Sequence, residues 1–154
     1  MDELSKRFLE KYLSSISTAE RNKYQRFDAY HFCSDEVSAN NCVRLVINGE
    51  KRATASLLWA YEAEKEPLPE IGQLSVITNW KKIPQCIIET TSVKIYPWNE
   101  VGPEFAFEEG EGDKSLNYWQ TEHWKAFSQE CKQLGREPNE KMPLVLENFK
   151  VIYK

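Results

Sequence analysis

At 154 residues the chain is expected to form one domain, since a length of ~100–200 residues carries its own core without disulfide staples. With 41% hydrophobic and 29% charged residues, it has the balance of a globular protein and not of a disordered one. A net charge of −4 disfavours bulk attraction to polynucleotides, so long-footprint DNA binding is not expected and any nucleic-acid contact needs a local basic patch.

The chain opens Met1-Asp2-Glu3-Leu4 without a basic stretch or a following apolar region, so no secretory signal is expected. No apolar run approaches the ~20 residues that cross a bilayer, and no membrane partner is expected. Four cysteines (Cys33, Cys42, Cys86 and Cys131) lie far apart with no CxxC pair. Only His31 and Cys33 approach the close spacing of zinc ligands, so the expectation is reduced thiols in a cytoplasmic protein.

In chain order, Leu4, Phe8, Tyr12 and Leu13 recur at helical spacing and predict an amphipathic helix over residues 3–15. Ser34-Asp35-Glu36 resembles a helix start ahead of Val37, Cys42, Val43, Leu45 and Val46. Asn48-Gly49 ends that helix, because glycine supplies the left-handed residue that commonly follows one. Lys51 and Thr54 then sit on a loop running into a strand over residues 53–58. Strand alternation sends Thr54 and Ser56 to one face and Ala55 and Leu57 to the other.

Glu66-Pro67-Leu68-Pro69-Glu70 and Gly72 mark a loop, followed by strands at 73–79 and 86–95. Pro97 and Pro103 bracket a turn-rich stretch. Trp119, His123, Phe127, Cys131 and Leu134 form a helical stripe ending at Gly135, and a strand over 144–153 closes the chain. Short strands with helices grouped between them suggest an α+β domain, a small barrel with helices packed outside.

Two stretches could carry chemistry. In Gly49-Glu50-Lys51-Arg52-Ala53-Thr54, a lysine beside a hydroxyl is one way to activate a nucleophile and an ordinary way to hold a phosphate. Taken alone, the pattern is more often a solvated lysine and a strand threonine. The second stretch, Glu104 to Asp113, gathers acids around Gly110 and Gly112. One of its carboxylates could be a general acid or base, or several could hold a hard cation such as Mg²⁺. Taken alone, it reads as a solvated acidic loop ahead of a helix. Arg44 and Arg52 add positive charge near Lys51, and Trp59 is a candidate platform for a stacked base. No GxSxG elbow, phosphate-binding lysine loop, dinucleotide fingerprint or HExxH is present, which disfavours the commonest hydrolase, NTPase and oxidoreductase classes.

Together, Phe27-Asp28-Ala29-Tyr30-His31-Phe32, Gly49 through Trp59, Phe105 through Leu116 and Met142 through Ile152 resemble the ASCH-domain family, in that family's order. The likeness runs from about residue 24 to the end, leaving residues 1–23 as an N-terminal helical extension to a domain over 24–154. Cys33-Ser34 departs from it, since related sequences often carry glycine and an acid there. The resemblance implies a PUA-like mixed β-barrel with a cleft for a nucleoside, a nucleotide or a short RNA. One branch of that family hydrolyses N4-acetylcytidine with a lysine, a threonine and a glutamate, which correspond here to Lys51, Thr54 and Glu109.

Three expectations follow. As an amidohydrolase, the chain would use Lys51 as base, Thr54 as nucleophile and Glu109 as acid, with no cofactor. As a non-catalytic RNA- or nucleotide-binding module, it would hold phosphate with Lys51, Arg52 and Arg44, with Ser56 and Glu111 as further ligand contacts and Trp59 stacking on a base. As a metal-assisted ribonuclease, it would place a divalent ion among Glu108, Glu109, Glu111 and Asp113. Burial of Lys51 near Thr54 and a glutamate favours hydrolysis, whereas an open basic rim favours binding.

Overall fold

The computed structural model describes residues 1–154. Its centre is a five-stranded mixed sheet: β1 (Phe27–Tyr30), β2 (Ala53–Leu57), β3 (Leu74–Thr78), β4 (Pro84–Pro97) and β5 (Pro143–Tyr153). The strand order is β1-β3-β4-β5-β2, with β1 parallel to β3 and every other pair antiparallel. β1 and β2 are the two edges and do not pair with each other, so the expected closed barrel is corrected to an open sheet. The α+β class stands.

Six α-helices surround the sheet: α1 (Glu3–Leu13), α2 (Thr18–Arg21), α3 (Glu36–Ile47), α4 (Leu58–Glu64), α5 (Pro103–Glu109) and α6 (Leu116–Gln133). Strand alternation divides the core among them. On one face, Leu74, Val76 and Ile87 pack against Leu9 and Leu13 of α1. Their neighbours Ile77, Cys86 and Ile88 point the other way and, with Phe149, meet Cys42, Val43 and Val46 of α3. A third cluster joins Leu57, Leu144 and Leu146 to Trp119, Phe127 and Cys131 of α6. Full burial of each such aliphatic side chain is worth roughly 1.5–3 kcal/mol, so all three layers contribute to holding the sheet.

Two elements depart from the expected ones. The strand at Ala53 stops at Leu57, because Leu58-Trp59-Ala60-Tyr61-Glu62-Ala63-Glu64 consists largely of good helix formers and turns into α4. The acidic stretch is not a loop throughout. Pro103 at the first turn and left-handed Gly110 after the last bracket a short helix, α5.

Candidate functional site

Lys51 is placed by the end of α3. Gly49 adopts φ +77, and the amides of Glu50 and Lys51 both donate to Leu45 O, at 2.9 and 3.1 Å. That wrap turns the lysine inward, and only 1% of it is exposed. Its ammonium donates to Ala53 O at 2.9 Å, Glu109 Oε1 at 3.3 Å and Glu111 Oε2 at 3.2 Å. All three N–H bonds are therefore spent on protein acceptors. Nζ also lies 5.2 Å from the centre of the Phe32 ring.

Gly110 delivers the two glutamates. Its φ of +70 turns the chain sharply, and a Cβ there would lie 2.1 Å from Glu50 O and 2.6 Å from the carbon of that carbonyl. Only glycine permits this approach of α5 to the lysine segment. A backbone bond from Arg52 N to Glu108 O, 2.7 Å long, fastens the two together.

Glu109 is enclosed from the other side by α6. Trp119, Phe127 and Cys131 form the buried stripe of that helix, and His123, one turn after Trp119, shares it. Glu109 Oε2 accepts from Trp119 Nε1 and lies 2.8 Å from His123 Nε2. His123 Nδ1 lies 2.9 Å from Trp119 O. With an acceptor at each ring nitrogen, the imidazolium is the form that satisfies both.

The charges follow from this geometry. Burial alone would lower the Lys51 pKa, but the charges of Glu109 and Glu111 outweigh it and hold the amine above its ordinary range. Burial alone would raise Glu109. The charges of Lys51 and His123, with hydrogen bonds from His123 and Trp119, outweigh it and bring the carboxyl down to about 2. His123 is raised in turn, because the charge and hydrogen bond of Glu109 exceed the burial effect. The core of the site is thus a dry ion cluster with Lys51 charged and Glu109 ionised.

A cleft of about 420 Å³ opens on this cluster, lined by Lys51, Thr54, Glu109, Glu111 and His123. That volume suits a small organic ligand. Thr54 stands on the cleft wall, half-buried, with no side-chain hydrogen bond; none joins it to Lys51. Glu111 is the more open glutamate, its side chain 24% exposed against 2% for Glu109. Its Oε1 accepts from Cys42 Sγ at 3.2 Å, and that thiol lies 3.4 Å from Cys33 Sγ. The Cys33 contact and burial keep Cys42 protonated.

The structure brings Lys51, Thr54, Glu109 and Glu111 together and leaves the other candidates outside. Arg44 is exposed on α3 and donates to Asn41 Oδ1 at 2.7 Å. Arg52 points to solvent and pairs with Glu108 at 3.0 Å. Trp59 packs against the third core cluster, with Arg136 4.5 Å above its ring. Ser56 faces a different cavity. Of the four acids considered for a metal, Glu108 is taken by Arg52, and Asp113 binds Ser115 N at 2.9 Å at the start of α6. Glu109 and Glu111 do converge, and His123 reaches the same point. The Lys51 ammonium already lies within 3.3 Å of both carboxylates. A divalent ion would have to displace it, so these residues do not fit a hard cation.

An ASCH domain model matches residues 28–153. The chain belongs to the ASCH-domain family. The ASCH domain of Lactobacillus crispatus JV V101 shares 51% identity and superposes with a TM-score of 0.97, over 100% of this chain and 97% of that one. Protein EF3133 from Enterococcus faecalis V583 shares 30% identity with a TM-score of 0.84, over 99% and 90% of the two chains. The hypothetical protein PH0355, at 15% identity and a TM-score of 0.52, shows likeness of fold alone, over 83% and 100%. No curated protein matches. The likeness to the first two structures extends over the N-terminal helix α1, whose Leu9 and Leu13 pack against Leu74, Val76 and Ile87 of the sheet.

His123 and Trp119 were not expected in this site. A histidine in an apolar stripe reads as core packing, and the only local signal was its place one turn after a tryptophan.

Proposed function

We propose that this ASCH-domain protein is an amidohydrolase acting on an N-acylated nucleobase of the N4-acetylcytidine type. The observation that carries the reading is the burial of Lys51 against Glu109 and Glu111 at the wall of a cleft that Thr54 also lines. A lysine with every N–H committed to protein acceptors has none left for a phosphate. That argues against the binding-module reading, in which Lys51 lies on an open basic rim. In this reading the same lysine moves a proton between the Thr54 hydroxyl and a carboxylate, once a bound substrate brings Thr54 within its reach.

In the resting site Lys51 is protonated, so it accepts the Thr54 proton only after passing one of its own to a carboxylate. Glu111 Oε2, 3.2 Å away and on the open side, receives it. Thr54 Oγ1 attacks the acyl carbon and its proton moves to Nζ. The C–N bond breaks as the Glu111 carboxyl protonates the leaving exocyclic nitrogen, giving the free base and an ester on Thr54. Water then attacks the ester; one of its protons returns by way of Glu111 to Thr54, and the carboxylic acid leaves.

Glu109, the acid that the family resemblance implies, serves in this reading as the fixed counter-charge. Three donors hold it, and its carboxyl lies at about 2. Each proton-transfer role is worth ~10²–10⁴-fold in rate. The test is incubation of the purified protein with N4-acetylcytidine in EDTA. Release of cytidine and acetate is expected; a wild-type protein that releases neither overturns the proposal.

A further inference from the structure

Behind Thr54, away from Lys51, the sheet carries a second cavity of about 600 Å³. It shares Phe32, Cys33, Thr54 and Ala55 with the cleft but contains none of the charged cluster. Its floor is the polar end of the sheet face that α3 covers elsewhere. Register explains the floor: Thr54 pairs with Glu147 and Ser56 with Val145, so the two hydroxyls and the carboxyl rise on one side. Leu57, Leu144 and Leu146 turn into the core on the other. Directly opposed side chains have Cβ atoms ~4.5–5.5 Å apart, which puts Glu147 beside Thr54.

Glu147 is an unusual residue for a sheet floor. It is only 8% exposed and has no cation to pair with. Its Oε1 accepts from Thr90 Oγ1 at 2.6 Å, while Oε2 has no protein partner. Ser128 Oγ is the one fully enclosed side-chain oxygen or nitrogen left without a bond, so the free oxygen of Glu147 touches the cavity. A buried carboxyl oxygen without a partner is costly, and perturbed buried carboxyls cluster at functional sites. Tyr30, Tyr61 and Phe32 supply aromatic walls around it.

We propose that this cavity is a subsite for a planar heterocycle, in which Glu147 reads an edge carrying an N–H donor next to a ring-nitrogen acceptor. Burial, reinforced by the charge of Asp28 and only partly offset by the Thr90 bond, favours the protonated carboxyl. In the neutral carboxyl Oε2 carries an O–H donor and Oε1 keeps a second lone pair beside the Thr90 bond, so the two oxygens can meet that edge with one donor and one acceptor. A base so held places a group on its exocyclic nitrogen next to Thr54. That last consequence rests on the hydrolytic reading; the binding itself does not.

The experiment is a titration with cytidine, whose N3 and N4–H₂ form such an edge, followed by calorimetry and by amide NMR. In the wild type the amides of Ser56, Ser75 and Glu147 should shift. Glu147→Leu should weaken binding by at least about tenfold, the loss of a buried hydrogen-bonded pair. Glu147→Gln should bind within about threefold of wild type, because a carboxamide offers the same donor and acceptor. No shift of those amides in wild type at about 10 mM cytidine, an affinity below any specific site, overturns the proposal. So does equal binding by a folded Glu147→Leu variant. Binding that depends on Glu147 in a protein that hydrolyses no acylated base upholds the subsite and removes the hydrolysis. Hydrolysis with cytidine binding indifferent to Glu147→Leu does the reverse.

Discussion

Lys51 and Glu109 form an ion pair with N–O separation 3.3 Å in which neither side chain is more than 2% exposed. A pair this dry is a mutual obligation. The desolvation of each charge is tolerable only while its partner is present.

Removing Lys51 therefore tests the fold before it tests catalysis. Lys51→Ala leaves Glu111 without a cation and Glu109 with His123 alone, and should cost about 3–5 kcal/mol, as for other broken buried pairs. Thr54→Ala removes a hydroxyl that makes no hydrogen bond and should cost less than about 1 kcal/mol. Urea unfolding of the two variants checks the contrast; comparable losses would mean that Thr54 has a structural partner.

The turn at Gly110 makes a second prediction. Gly110→Ala puts a methyl group onto the Glu50 carbonyl and forces a left-handed alanine, which alone costs roughly 1–2 kcal/mol. The Glu109–Glu111 turn should lift from Lys51, so the Arg52 amide, bonded to Glu108 O, should exchange faster in D₂O. Unchanged protection of that amide would contradict the account.

Glu109 gives the acid limb of stability. Its carboxyl lies at about 2 in the folded state against an ordinary 4.5, so the folded form binds the proton more weakly than the unfolded one. The stabilisation is present above about pH 4.5 and is lost as pH falls toward 2. Urea midpoints measured across that window should fall more steeply for wild type than for Glu109→Gln. Parallel slopes would place the acid sensitivity elsewhere.

His123 responds with the opposite sign. Its raised pKa means stability present below the ordinary value of 6.5 and lost as pH rises through the folded value. An imidazole NMR titration should put its midpoint above 6.5, and Glu109→Gln should bring it down, since that carboxylate is the main raising influence.

Much of the fold was legible because the apolar pattern is regular. Helices at 3–15, after Asp35 and along the Trp119 stripe match α1, α3 and α6 to within a residue or two at most ends, and the strands at 73–79, 86–95 and 144–153 match β3, β4 and β5. The short elements were not legible. β1 has four residues, and α5 reads as charge, with its Pro103 start and Gly110 end disguised as turn signals. Closure was overestimated, since strand pattern gives faces and not which edges meet.

For the site, Lys51 and Thr54 could be named as a lysine close to a hydroxyl in one stretch, and Glu109 and Glu111 lie in the acidic stretch, where the family resemblance singles out Glu109. Burial of the lysine, the part of Glu147 in a second cavity, and the hold of Trp119 and His123 on Glu109 depend on contacts between distant segments. Local sequence carries no record of these. Arg44, Arg52 and Trp59 were drawn in by proximity in the chain; helices α3 and α4 point Arg44 and Trp59 elsewhere, and Arg52, just before β2, turns to Glu108.

The central claim is that Thr54 is the group acylated beside the Lys51 relay. The most direct measurement is the rate of acetate release from N4-acetylcytidine by wild type and by Thr54→Ala, with urea unfolding confirming that the variant is folded. A fall of at least about 10²-fold in kcat, the scale of losing a nucleophile or its proton transfer, is predicted. A folded Thr54→Ala protein that releases acetate at the wild-type rate would contradict it.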